Sequence, residues 1–131
     1  EGLLEEYAHP VPDIAWDLLN EYSGTSSRPM TLVLPGGKDV TPALLAEDDS
    51  LAMRVVYDPF LQFIIRGIDL PLVSTSANLS GHPTPGHFDE IPKAIRTGVD
   101  HACTTGRDRR GGQTSSMIKL DDAGRIDILR P

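Results

Sequence analysis

Ser50-Leu51-Ala52-Met53-Arg54-Val55-Val56 runs through Tyr57 into Asp58-Pro59-Phe60-Leu61-Gln62-Phe63-Ile64-Ile65-Arg66-Gly67, and the change of period between them decides the fold class. Over residues 50–56 the period is two. Leu51, Met53 and Val55 fall on one face and Ala52, Arg54 and Val56 on the other, which predicts a strand. At Asp58 the pattern switches to that of a helix, with an acid as N-cap and proline at the first helical position. Phe60, Leu61, Phe63, Ile64 and Ile65 supply its apolar side, and Gly67 is the expected stop. A strand that hands over directly to a helix is the elementary step of an α/β domain.

Working outward, Met30-Thr31-Leu32-Val33-Leu34 reads as a strand stopped by Pro35-Gly36-Gly37. Before it, Asp13 caps an amphipathic helix through Ile14, Ala15, Leu18, Leu19 and Tyr22, and Gly24 to Pro29 forms a polar loop. Asp39 to Asp49 is irregular with one helical turn. Downstream, Leu70 to Ser74 is expected to be a short buried strand. A short helix capped by Asp89 follows through Ile91, Ala94 and Ile95 to Gly98, and Val99 to Cys103 is a further candidate strand. Thr114–Leu120 and Arg125–Arg130 flank Asp121-Asp122-Ala123-Gly124 and predict a terminal antiparallel hairpin. The expected fold is therefore α/β: a twisted mixed sheet with flanking helices and a C-terminal hairpin.

The chain has 131 residues, 39% hydrophobic and 24% charged, a globular profile that fits one domain over 1–131. Lys+Arg 12 against Asp+Glu 19 leaves a net charge of −7, which argues against a general binder of nucleic acid or anionic membrane. A single cysteine, Cys103, excludes an intramolecular disulfide and a thiolate metal cluster, and it is expected in the core. Charges or prolines interrupt every apolar run, so no membrane span is expected. The acidic opening Glu1-Gly2-Leu3-Leu4-Glu5-Glu6 lacks signal-peptide chemistry. The expected compartment is the cytoplasm.

Ser74-Thr75-Ser76-Ala77-Asn78-Leu79-Ser80-Gly81 is the richest segment for chemistry. It brings hydroxyls and an amide to the carboxyl end of an expected strand, where open α/β sheets place ligands. Two readings stand: a phosphate or carboxylate site, or a turn whose hydroxyls cap their own backbone. Arg54 either reaches solvent or holds an anion with both arms of its guanidinium. Ser115-Ser116 follows Gly111-Gly112, and Arg130 ends the last strand as a second cation. Arg107, Arg109 and Arg110 form a basic loop, either solvated or contacting polyphosphate or RNA. His82 and His87 lack companions at zinc spacing, so no protein metal site is expected. Ser76 lacks a Gly-x-Ser-x-Gly elbow, and Leu34-Pro35-Gly36-Gly37-Lys38 lacks full Walker spacing and reads as a turn.

Pro71-Leu72-Val73-Ser74-Thr75-Ser76-Ala77-Asn78-Leu79-Ser80-Gly81 resembles the signature stretch of the YrdC-like family of threonylcarbamoyl-AMP synthases. Four further stretches fall in that family's order: Met30 to Pro35, Ser50 to Val55, Gly112 to Ile118, and Ile128-Leu129-Arg130-Pro131. The resemblance implies synthesis of L-threonylcarbamoyladenylate from L-threonine, bicarbonate and ATP, with release of pyrophosphate. The product would feed a tRNA threonylcarbamoyl transferase machinery, and Mg2+ would accompany ATP.

By the same resemblance Arg54 would hold the threonine carboxylate, with Ser74 and Ser115 lining the amino-acid pocket. Ser50, Ser76, Asn78, Thr84 and Arg130 would form the ATP site, Asn78 by shaping the loop between the two ligands. No residue is assigned to bond-making. The family's Pro-Thr-Asp/Glu-Thr-x-Tyr-Gly stretch and Lys-x-Arg pair do not occur here, and its usual Ser-Thr is Ser115-Ser116. The expectation is a domain incomplete at its amino terminus, impaired as this chain alone. The alternatives are a non-catalytic YrdC-like module with a weak RNA contact, and a carbamoyl-adenylate-forming enzyme acting on another substrate.

Overall fold

The computed structural model describes residues 2–22, 29–111 and 114–131. The Gly24–Pro29 loop up to Arg28, and the Gly112-Gln113 start of the third resembling stretch, lie outside the described residues. The chain forms two compact units, Glu1–Leu72 with Thr114–Pro131, and Val73–Gln113.

The first unit holds helices α1 (Leu3–Tyr7) and α2 (Asp13–Tyr22), then strand β1 (Met30–Leu34) and a 3-10 turn over Pro42–Leu44. Strand β2 (Leu51–Met53) and helix α3 (Pro59–Ile68) follow. After the second unit, which contains helix α4 (Lys93–Gly98), come β3 (Ser116–Leu120) and β4 (Ile126–Arg130). The sheet order is β2-β1-β3-β4. β1 lies parallel to β3, while the β1/β2 and β3/β4 pairs are antiparallel. This is the mixed sheet, flanking helices and terminal hairpin that the alternation of periods predicts.

Strand alternation divides the sheet into two faces. Met30, Leu32, Leu34, Ile118 and Leu120 join Leu4, Ala8, Ala15 and Leu19 in one core, so α1 and α2 cover this side. Cross-strand register carries the core face on to β4, where Ile118 faces Ile128 and Leu120 faces Ile126. Burial stops there: Ile118 is 8% exposed and Ile128 64%, Leu120 0% and Ile126 50%. The helices therefore cover the face up to β3 and leave β4 bare.

The connection after β1 is locked by backbone. Gly36 has φ +59°, and a Cβ there would sit 1.9 Å from the carbonyl oxygen of His9, so only glycine fits. His9 N–H donates to Gly36, Lys38 N–H to Tyr7, and Gly37 N–H to Asp49, tying the Pro35–Lys38 turn to α1 and to the approach to β2.

Several expectations are corrected. The strand predicted over residues 50–56 forms only at Leu51–Met53, where it pairs with Leu34 to Leu32; β1 continues to Met30, but residues beyond Met53 do not follow it. Arg54 therefore lies beyond the strand. α3 runs through Gly67 and ends at Asp69, which takes the left-handed conformation (φ 54°) and returns its N–H to Ile65. Leu70 to Ser74 is neither a strand nor buried, since it pairs with no described strand and an apolar run alone does not make a ladder.

The candidate strand Val99–Cys103 does not form either, and Cys103 is exposed rather than in the core. Asp89 caps no helix; it belongs to a 3-10 turn over Phe88–Glu90, and Pro92 precedes α4 in its place. The hairpin strands begin slightly later than expected, at Ser116 and Ile126.

Candidate functional site

The sheet face opposite α1 and α2 carries the polar residues. On β1 Thr31 lies between core residues Met30 and Leu32, so its side chain belongs to the other side. Register sets Thr31 beside Met117, Val33 beside Lys119, and Met117 beside Arg130. Strand alternation assigns Ala52 to this side as well, and Arg54 follows just past the end of β2.

At the start of β3 three side chains join in one chain of hydrogen bonds. The hydroxyl oxygens of Thr31 and Ser115 lie 2.8 Å apart. Arg130 donates from Nη2 to Ser115 Oγ at 3.1 Å and from Nε to the Ser115 carbonyl at 2.7 Å. Two of the five guanidinium N–H groups are thereby used, leaving three for an anion. The structure thus brings together two predicted site residues, Ser115 and Arg130. It adds Thr31, whose partner is 84 positions away in sequence.

A second cluster sits at the approach to β2. Ser50 is 3% exposed, and its hydroxyl donates to Asp48 Oδ1 at 2.6 Å, while Lys119 donates to Asp48 Oδ2. The Lys119 ammonium, followed by the Ser50 hydroxyl and N–H, holds the Asp48 carboxyl well below the usual carboxylate range. Ser50 is thus fixed by its neighbours, and Asp48 and Lys119 are polar partners that the sequence reading did not single out. Arg54 is exposed and makes no ion pair or hydrogen bond among the described residues. Its guanidinium is open to a ligand.

The remaining predicted residues belong to the second unit. Ser74 and Ser76 are exposed and lie outside any helix or strand. Asn78 organises the loop after them: its Nδ2 donates to the carbonyls of His82 at 2.8 Å and Leu79 at 3.1 Å, and Gly81 turns at φ +81°. Asn78 Oδ1 is buried without a hydrogen-bond partner among the described residues. Thr84 lines an open cleft of about 380 Å³ shared with Ala77, Phe88, Thr105, Arg107 and Arg109. Arg107 is largely committed within this unit. It donates to the carbonyls of Cys103 (2.7 Å) and Ala102 (2.8 Å) and stacks on the Phe88 ring at 4.2 Å, a cation–π contact.

Among the described residues no group of three or more His, Cys, Asp or Glu side chains is placed to hold a metal ion. No helix among them is long and apolar enough to cross a membrane.

An open mixed sheet with α1 and α2 on one face, and the Thr31–Ser115–Arg130 cluster on the other, defines an α/β domain. Comparison with known proteins makes this specific. The family model described as "Telomere recombination" (Sua5/YciO/YrdC) matches residues 3–131, and the chain belongs to that family. It is 32% identical over 126 residues to a "Putative threonylcarbamoyl-AMP synthase" of Methanocaldococcus jannaschii, covering 95% of this chain and 56% of that protein. It is 42% identical over 102 residues to a "Threonylcarbamoyl-AMP synthase" of Photobacterium profundum, covering 78% and 53%. A Serratia proteamaculans protein of the same name is 36% identical over 91 residues, covering 66% and 48%. The chain spans about half the length of the curated relatives it matches. No solved structure matches it significantly.

Proposed function

We propose that the full-length protein makes L-threonylcarbamoyladenylate from L-threonine, bicarbonate and ATP, releasing pyrophosphate, and that it acts in the cytoplasm to supply tRNA threonylcarbamoylation. The observation that best supports this is the Thr31–Ser115–Arg130 hydrogen-bonded chain on one sheet face, with the Arg54 guanidinium exposed just past β2 and without an ion pair among the described residues. Such a face suits two anionic ligands side by side, a carboxylate and a polyphosphate. The relatives' name, threonylcarbamoyl-AMP synthase, supports the product; the substrates follow from the family resemblance.

In this reading Arg54 takes the threonine carboxylate, and Ser115 and Ser74 complete the amino-acid pocket. Arg130, Ser76 and Thr84 contact ATP, Ser50 supports that site from just before β2, and Asn78 holds the loop. The threonine amine attacks carbon dioxide, or bicarbonate with loss of water, to give a carbamate. A carbamate oxygen then attacks the α-phosphorus, and the bond to the bridging oxygen breaks as pyrophosphate leaves. The protein contributes positioning and charge neutralisation. Mg2+ would accompany ATP on its phosphates.

The test is pyrophosphate release by the full-length protein, with and without each substrate. Release that requires both L-threonine and bicarbonate supports the reading. Release independent of threonine, or affinity for RNA without ATP turnover, overturns it.

A further inference from the structure

Ser115 Oγ has one proton to give and two lone pairs to receive. Arg130 Nη2, 3.1 Å away, is purely a donor and occupies one lone pair. Thr31 Oγ1, 2.8 Å away, can occupy the other or can accept the proton. These two arrangements present different groups to a ligand. If Thr31 donates, Ser115 has no acceptor capacity left and its proton points outward. If Ser115 donates to Thr31, no proton remains for a ligand.

A carboxylate accepts and never donates, so it binds only the first arrangement. We infer that Thr31 is the positioning residue that turns the Ser115 hydroxyl into a donor for the carboxylate of the amino-acid substrate. The inference rests on the proposed reading that Ser115 faces that substrate.

The placement of Thr31 supports the role. It lies within β1, on the stretch paired in parallel with β3, with its backbone set by register to Met117. A β-branched side chain there has a restricted χ1. Its hydroxyl is therefore presented from a rigid element rather than from a loop, which is what a preorganised donor requires. Arg130 closes the other side by gripping both the carbonyl and the hydroxyl of Ser115, so Ser115 cannot turn away to free its lone pairs.

The experiment uses the full-length protein and isothermal titration with L-threonine and, separately, with ATP. Three variants are compared: Thr31→Val keeps the shape and removes the hydroxyl, Thr31→Ser keeps the hydroxyl, and Ser115→Ala removes its partner. Thr31→Val should weaken threonine binding about tenfold, the order of one lost hydrogen bond to a charged group, and leave ATP affinity within about twofold. Thr31→Ser should bind both ligands as the unaltered protein does.

Equal losses for threonine and ATP in Thr31→Val would reveal a merely structural role and overturn the inference. So would a loss in Thr31→Ser as large as in Thr31→Val; should Thr31→Val not fold, a tenfold loss of threonine affinity in Thr31→Ser, which keeps the hydroxyl, overturns the inference by itself. If Ser115→Ala weakens threonine binding and Thr31→Val does not, the inference falls while the proposed site stands. If Ser115→Ala changes nothing, the assignment of Ser115 falls and takes the inference with it.

Discussion

Arg130 donates to Ser115 twice, from Nε to its carbonyl at 2.7 Å and from Nη2 to its hydroxyl at 3.1 Å. One guanidinium therefore fixes both polar groups of a residue fifteen positions earlier, across the β3–β4 hairpin. Resemblance to the family assigns these two residues to different ligands, Arg130 to ATP and Ser115 to threonine. Their direct contact couples the two assignments.

The coupling has a measurable consequence. In the full-length protein Arg130→Ala should weaken ATP and threonine alike, each by about tenfold, because it removes a cation from one ligand and the support of Ser115 from the other. Arg130→Lys keeps the charge and loses the planar fork, so it should recover ATP affinity more than threonine affinity. Titration calorimetry on both variants separates these effects. A loss confined to ATP would mean that Ser115 holds its place without Arg130.

Arg54 predicts the opposite pattern. It is exposed and makes no ion pair among the described residues, so its removal breaks nothing in the fold. Arg54→Ala should leave thermal stability nearly unchanged and reduce threonine affinity well beyond ATP affinity, since its proposed partner is a carboxylate. Equal reduction of both would reassign it.

The stability of this chain should divide along the sheet. Leu32 lies within the core cluster, whereas Ile128, on the same face and in register with Ile118, is bare. Leu32→Ala should cost about 2–5 kcal/mol by lost transfer energy and a residual cavity. Ile128→Ala should stay within about 0.5 kcal/mol. Urea denaturation of the 131-residue chain measures both. A large cost at Ile128 would show that β4 is covered in solution.

The same contrast explains what could be read from the sequence. β1, α2, α3 and the hairpin announce themselves through local signals: Pro35-Gly36-Gly37 after β1, Asp58-Pro59 before α3, and an aspartate-rich turn in which Asp121 Oδ1 accepts from the N–H groups of Ala123 and Arg125 at 2.9 Å. Leu70–Ser74 and Val99–Cys103 have strand-like composition, but a strand exists only with a neighbour to bond, and no local signal reports one. Ser115 and Arg130 were legible as polar residues at strand ends, and Arg54 as a cation within the strand expected over residues 50–56. Thr31, Asp48 and Lys119 were not, because their partners are 84 and 71 positions distant and only register brings them together.

The cap of α3 offers a separate check, since none of its residues is buried and tertiary packing does little to hold it. Asp58 Oδ1 accepts from the N–H groups of Phe60 at 3.0 Å and Leu61 at 3.1 Å. Asp58→Ala should cost about 1 kcal/mol and shorten the helix from its first turn, visible as faster amide exchange at Phe60 and Leu61. Unchanged exchange there would mean that Pro59 alone is enough to start the helix.

Asp48 gives the chain a defined response to acid. Lys119 first, then the hydroxyl and N–H of Ser50, stabilise its carboxylate, so its folded pKa lies below the ordinary 3.8. For a depressed carboxyl, folding favours the ionised form. The contribution is therefore present in full above the unfolded value and is lost as pH falls through the folded one. The Asp48 carboxyl carbon should accordingly titrate by NMR at more acid pH than an unpaired aspartate. Lys119→Ala should move that midpoint upward without restoring it fully, because both Ser50 donors remain at 2.6 and 3.3 Å. Both partners are partly exposed, so added salt should also raise the midpoint by screening the pair. A midpoint in the ordinary aspartate range, unmoved by Lys119→Ala, would show that the pair does not persist in solution and that Lys119 is free to meet a ligand.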